Sequence, residues 1–250
     1  MIPNNYHELN YSKIATYTFC PFLYKLKYIE GKREGLVPVT SLGVSIHRTL
    51  EEYHTSSNNP ESLLVYYNRC FLGAGYSSAA EQMEYYLKGK RIIEDYAKRE
   101  KDRKSEILGC EKEFIFEHHG WKFRGKIDRF EKLPDGTYHV IDYKTDAKIN
   151  ENFDVTKSLQ LALYIIGAKR AWGKTQGKAS IYFVALNKIF SIPFEKVNED
   201  EVLEKYIEIG EKLEGNDFPP CTKSCTQCLM HMRCPHSIHP ERYIKSDEIR

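Results

Sequence analysis

The stretch HVIDYKTD, residues 139 to 146, sets Asp142 and Lys144 two positions apart at the end of an apolar run. In a strand that spacing puts both side chains on one face. Asp128, in GKIDRF, belongs to the preceding strand and is joined to this one through the turn PDG at 134–136, so two carboxylates can lie side by side. Paired carboxylates invite a cation. Mg²⁺ takes oxygen ligands, usually one or two carboxylates with waters and substrate phosphate, and such a site polarises a phosphodiester and generates hydroxide. Lys144 would orient the attacking water or neutralise charge on phosphorus. Tyr143 points to the other face, into the core, while its backbone carbonyl could add a ligand. A solvated ion pair at a strand end would use the same residues, so the tripeptide alone does not decide.

Other residues extend the constellation. In LGVSIHRTLEEYH, Leu42, Ile46, Leu50 and Tyr53 form the apolar stripe of a helix and His47 falls at its edge. It is either a core-edge histidine or a nitrogen ligand to the same metal. Gln160 and Tyr164 are spaced i, i+4 and share a helix face. Burying an amide without partners costs roughly 1–3 kcal/mol, so Gln160 should have a hydrogen-bonding task.

The elements that must position these groups follow from periodicity. Up to about residue 104 the apolar spacings of three and four predict helices, interrupted at Gly31, Pro38 and Pro60. After Ser105 alternation takes over, and ILGCEKEFIFEHH, WKFRGKIDRFEKL and TYHVIDYKT predict a three-stranded meander. KSLQLALYIIGAKRAW, 157–172, predicts a buried helix, KASIYFVALN a further strand, and IFSIPF its hairpin partner. NEDEVLEKYIEIGEKLEG, 198–215, predicts an amphipathic helix capped by Asn198. The expected class is α/β: a central mixed sheet flanked by helices, with an N-terminal helical region (1–104), a core (105–197), and a helix with a cysteine-cluster extension (198–250), together one domain over 1–250.

A balance of 37 Lys+Arg against 35 Asp+Glu gives a formal charge of +2, so any basic surface for nucleic acid must be local. YLKGKRIIEDYAKREKDRK, 86–104, is the densest basic stretch and suits either a channel wall or a solvated helix face. The start lacks a signal-peptide pattern and no apolar run approaches the ~20 residues of a membrane span, which predicts a cytoplasmic protein, or a nuclear one in a eukaryotic or viral setting. Seven cysteines there are expected to be reduced thiols or metal ligands.

SKIATYTFCPFLYKLKY, LGVSIHRTLEEY, CEKEF, RGKIDRF, HVIDYKT and LQLALY, in that order, resemble the successive motifs of the PD-(D/E)XK nuclease superfamily in its RecB-like exonuclease branch, across about 9–234. CRISPR-associated adaptation nucleases and the nuclease domains of AddB and RecB are similar. The resemblance implies a restriction-endonuclease-like sheet and Mg²⁺ or Mn²⁺ bound by His47, Asp128, Asp142 and the Tyr143 carbonyl. It also implies a catalytic Lys144, with Gln160 and Tyr164 completing the site. The family's upstream acid falls on Glu111 or Glu113, with Glu111 favoured.

Cys225, Cys228 and Cys234 form C-x2-C-x5-C, and Cys20-Pro21 stands near the other end. This resembles the iron-sulfur members of the branch, in which four thiolates hold a [4Fe–4S] cluster. Cys221 leaves an alternative open, because Cys221, Cys225, Cys228 and Cys234 could hold Zn²⁺ locally. Cys70 and Cys110 are expected to be buried thiols, and His231 and His236 incidental neighbours.

The resulting expectation is a divalent-metal-dependent nuclease, an exonuclease on single-stranded DNA or DNA ends, serving repair, recombination, replication or CRISPR adaptation. The competing expectation is a non-catalytic nucleic-acid-binding or assembly module. With no Walker-type loop, unwinding would require a helicase partner.

Overall fold

The computed structural model describes residues 7–56 and 59–238. The chain forms two compact units: Met1–Gly35 with Ile115–Gly125 and Asn198–Arg250, and Leu36–Phe114 with Lys126–Val197. The strands are β1 (Glu8–Leu9), β2 (Glu106–His118), β3 (Trp121–Lys132), β4 (Tyr138–Lys144), β5 (Gly177–Phe183) and β6 (Lys188–Pro193). The helices are α1 (Tyr11–Phe19), α2 (Pro21–Tyr24), α3 (Pro38–Ser56), α4 (Leu63–Cys70), α5 (Ala79–Glu100), α6 (Leu159–Trp172) and α7 (Glu199–Glu214).

The second unit is built on a mixed sheet. β2 pairs with β3, β3 and β4 are antiparallel, β4 and β5 parallel, and β5 and β6 antiparallel. The PDG turn closes the β3–β4 hairpin through Leu133 N–H to the Thr137 carbonyl at 2.8 Å, with Gly136 in the left-handed region at φ 87°. The β4–β5 connection runs through α6, as parallel pairing requires. Ser158 caps α6 by accepting from the Leu161 N–H, and left-handed Gly173 ends it.

Alternation along β4 sorts its side chains. Ile141 and Tyr143 join Tyr182 and Val184 in a core with Leu42, Ile46, Leu50 and Tyr53 of α3, Tyr67 of α4 and Ile93 and Tyr96 of α5. Gly89 lets α5 approach closely, since a Cβ there would meet the Tyr67 hydroxyl and come within 2.7 Å of Leu42 Cδ1. Asp142 and Lys144 face the other way, toward α6, whose residues Leu161–Ala168 are all buried. Helices therefore flank both faces of the sheet.

In the first unit β1 pairs in parallel with the first residues of β3, Glu8 opposite Lys122 and Leu9 opposite Phe123. A two-residue strand leaves no periodic signal, and the sequence did not predict it. Asn198 caps α7 by accepting from the Glu201 N–H, and Gly210 lets α7 close on Trp121. Past α7 the chain turns through short 3₁₀ segments, Thr222–Gln227 and His231–Arg233.

Candidate active site

The β3–β4 ladder runs from Lys132 opposite Tyr138 to Arg129 opposite Ile141. Just beyond it, the Tyr143 N–H donates to Asp128 Oδ2 at 2.7 Å. A strand residue's N–H and C=O leave on the same edge, so the Tyr143 carbonyl belongs to that edge too. The Tyr143 ring is buried, as expected, and its hydroxyl lies 2.8 Å from that of Tyr96.

Asp142 is buried at 2% exposure, and its neighbours explain how a carboxylate is tolerated there. Lys144 Nζ lies 2.7 Å from Asp142 Oδ2. Gln160 Nε2 donates to Asp142 Oδ1 at 2.7 Å and to the Tyr164 hydroxyl at 2.9 Å, while Gln160 Oε1 accepts from Lys144 at 3.1 Å. The i, i+4 pair thus faces the end of β4, and the half-buried amide has its hydrogen-bonding task.

On the other side of Asp128, His47 Nδ1 lies 3.5 Å from Asp128 Oδ2. One donor atom each from His47, Glu111 and Asp128 falls within a sphere in which all pairs are under 4.8 Å apart. Of the two upstream acids, Glu111 joins this group, whereas Glu113 is exposed. Glu111 has φ 46°, a left-handed non-glycine residue inside β2, the kind of local kink that re-aims a strand side chain. Lys126 forms an ion pair with Glu111.

The electrostatics favour a cation. Burial first, and the neighbouring Asp142 carboxylate second, push the Asp128 carboxyl well above its usual range despite the Tyr143 N–H. Burial likewise lowers the His47 imidazole, which keeps it neutral and able to ligate. Hard oxygen donors with one imidazole, crowded so that their charges repel, suit Mg²⁺ or Mn²⁺.

Beneath the site lies a network that sequence reasoning missed. Arg129 Nη1 donates to the Tyr96 hydroxyl at 2.7 Å, to Glu100 at 3.0 Å and to the Tyr143 hydroxyl at 3.2 Å, and its Nη2 pairs with Glu131 at 2.8 Å. Glu131 reaches His139 Nδ1 at 3.0 Å, and His139 Nε2 reaches Ser180 at 2.6 Å. Isolated charges on strands resemble a solvated face, and only the pairing of Arg129, Glu131 and His139 could have signalled otherwise.

In the first unit, Cys20, Cys221, Cys225, Cys228 and Cys234 line one cavity. None of the seven cysteines is in a disulfide. The Cys221 N–H donates to Cys20 Sγ at 3.4 Å, and burial raises the Cys228 thiol to about 11. Both candidates for the fourth ligand are therefore present. His231 and His236, expected to be incidental, line the same cavity, and His231 Nδ1 lies 2.8 Å from the Cys228 carbonyl. Cys70 and Cys110 are half-buried, and Cys70 donates to Glu52 at 3.0 Å.

A mixed sheet thus delivers D-x-K from a strand end, against a second carboxylate and a helix-borne Gln, beside a His47–Glu111–Asp128 group that could hold a metal ion. The sequence profile of the PD-(D/E)XK nuclease superfamily matches residues 8–235, and the chain belongs to that superfamily. Among solved structures, it is similar to a "Putative exonuclease" from Eubacterium rectale, at 17% identity and TM-score 0.53, with 97% of this chain and 91% of that one covered. A second similar structure, SSO0001, has 16% identity and TM-score 0.38, with 87% and 95% covered. No curated protein matches the chain. Among the described residues no helix is long and apolar enough to cross a membrane.

Proposed function

We propose that the protein hydrolyses phosphodiester bonds in DNA with Mg²⁺ or Mn²⁺, acting as an exonuclease on single strands or ends. The observation that carries this is the convergence of Asp142, Lys144 and Gln160 within mutual hydrogen-bonding reach, beside a His47–Glu111–Asp128 group. Asp128, Asp142, Glu111, His47 and the Tyr143 carbonyl would hold the ion. Bound there, it would polarise the phosphoryl oxygen and acidify a water.

The chain's own residues supply the rest. Lys144 brings a positive charge to the site, where it can offset charge developing on the phosphate or orient the incoming water. Gln160 fixes both Lys144 and Asp142, so the ammonium and the carboxylate hold one relative position. Tyr164, accepting from Gln160, sets the amide's orientation. That orientation is consistent chemically, because a carboxylate can only accept and an ammonium can only donate.

The thiol cavity supports membership of the RecB-like branch with a [4Fe–4S] cluster on Cys20, Cys225, Cys228 and Cys234. Zinc on the four C-terminal cysteines is the competing assignment. Protein purified without oxygen should be brown with about four irons per chain, whereas a colourless protein with stoichiometric zinc would overturn the cluster.

The activity test uses labelled single-stranded DNA with distinct 5′ and 3′ ends, Mn²⁺ or Mg²⁺, and the Asp142→Ala and Lys144→Ala variants. Wild type should shorten the strand from an end and both variants should lose most of that activity. Equal cleavage by all three would remove these residues from the mechanism, and binding without cleavage under either metal would favour a non-catalytic module.

A further inference from the structure

The second unit has a cleft of about 360 Å³ between one face of α5 and the turn at 184–187. From α5 it takes Lys88, Arg91, Asp95 and Arg99, and from the segment after β4 it takes Ala147. Steps of three and four residues place all four α5 side chains on one helical face.

The charge in this cleft is positive and uncommitted. Asp95 is paired with Lys98 at 2.7 Å. Lys88 packs over the Tyr85 ring and Arg99 over the Tyr182 ring, 5.4 and 5.3 Å from the ring centroids. Arg99 Nε and Nη2 are buried and have no hydrogen-bond partner. Those two atoms are closed to solvent, so Arg99 gives the cleft a fixed positive charge over the Tyr182 ring.

The cleft also reaches the end of β4. The Val184 N–H, at the start of the turn, donates to the Lys144 carbonyl at 2.9 Å. Ala147 is three residues past Lys144, at most about 11 Å along the chain. The cleft thus lies by the end of β4 on the α5 side of the sheet, while Asp142 and Lys144 face α6.

We propose that Lys88, Arg91 and Arg99 form a subsite for the sugar-phosphate backbone of single-stranded nucleic acid, holding phosphates away from the one being cleaved. This rests on the nuclease function proposed above. It assigns Lys88 and Arg91 as phosphate contacts and Arg99 as a fixed charge behind them.

The test measures binding of a fluorescent oligothymidylate in EDTA, where no cleavage occurs, across a salt series. Lys88→Gln/Arg91→Gln changes two exposed residues and should fold normally, which circular dichroism checks. Affinity should fall at least 10-fold, and the slope of log K against log salt should shrink by about 1.4, the value for two single-strand phosphates. Arg99→Lys keeps the charge, so affinity and slope should both stay near wild type. Hydrolysis of bis(p-nitrophenyl) phosphate, which has no flanking phosphate, should stay at the wild-type rate in the double variant. Wild-type affinity and slope in the double variant would overturn the subsite. If wild type cleaves nothing under any metal but the slope still drops, the subsite stands and the nuclease function falls.

Discussion

Gln160 donates to Asp142 Oδ1 at 2.7 Å while its own carbonyl accepts from Lys144 at 3.1 Å. One amide therefore ties a helix to both reactive residues of β4. Gln160→Ala should leave the fold intact, since the residue is partly exposed at the start of α6. A hydrogen bond to a charged group contributes about 1.5–3 kcal/mol, so kcat should drop roughly 10- to 100-fold. A wild-type kcat would show that Asp142 and Lys144 hold their positions unaided.

The crowding of Asp128 and Asp142 predicts opposite effects with and without metal. Asp128→Asn keeps an acceptor for the Tyr143 N–H but removes a charge that burial and Asp142 both disfavour. In metal-free buffer the variant should melt higher than wild type. Wild type should gain about 2.7 kcal/mol in Mn²⁺ at one hundred times the dissociation constant, and the variant should lose most of that gain. Glu111→Gln should weaken Mn²⁺ binding by calorimetry, while Glu113→Gln should not. Equal Mn²⁺ stabilisation in all these proteins would place the ion elsewhere.

The parts of the site legible in the sequence were those that obey a period. Asp142 and Lys144 share a face because strands alternate, and Gln160 and Tyr164 share one because helices repeat near four. Glu111 could not be separated from Glu113 by alternation, which puts residues two apart on one face, and the irregularity that sets Glu111 apart, its φ of 46°, leaves no periodic trace. The Arg129 network was hidden for another reason: its members come from α5, β3, β4 and β5, so no local pattern announces it. The thiol cavity falls between these cases. Its cysteine spacing was plain, but His231 reaches it through 3₁₀ turns that carry no periodicity.

That network should set the acid limit of stability. Burial opposes ionisation of Glu131, but the His139 hydrogen bond and the Arg129 charge outweigh it and bring the carboxyl from 4.5 down to about 2. A depressed carboxyl stabilises the fold above its unfolded value and loses that contribution as pH falls through the folded one, here on the order of 3 kcal/mol. Burial holds His139 below its ordinary 6.5 despite Glu131, so it too destabilises the fold as pH drops. Urea midpoints should therefore decline steadily from pH 6.5 toward pH 2. Glu131→Gln should cost about 3–5 kcal/mol at pH 7 by leaving Arg129 without one of its carboxylates. A midpoint independent of pH would refute the account.

The five-thiol cavity makes the two cluster assignments separable by single substitutions. Cys20 is buried in a core with Leu23, Leu26 and Met230, and Cys221 offers its N–H to the Cys20 sulfur. If Cys20 is the fourth ligand, Cys20→Ser should lose most of the iron and Cys221→Ser should keep it, because the backbone donor survives that change. The Cys20 variant should also be less stable, since a link from Cys20 to Cys225 closes a loop of about 205 residues, which the logarithmic rule values at roughly 5 kcal/mol. Visible absorbance and iron content check the first point, and thermal unfolding without oxygen checks the second. Loss of metal in Cys221→Ser with retention in Cys20→Ser would instead assign a local site to the C-terminal cysteines.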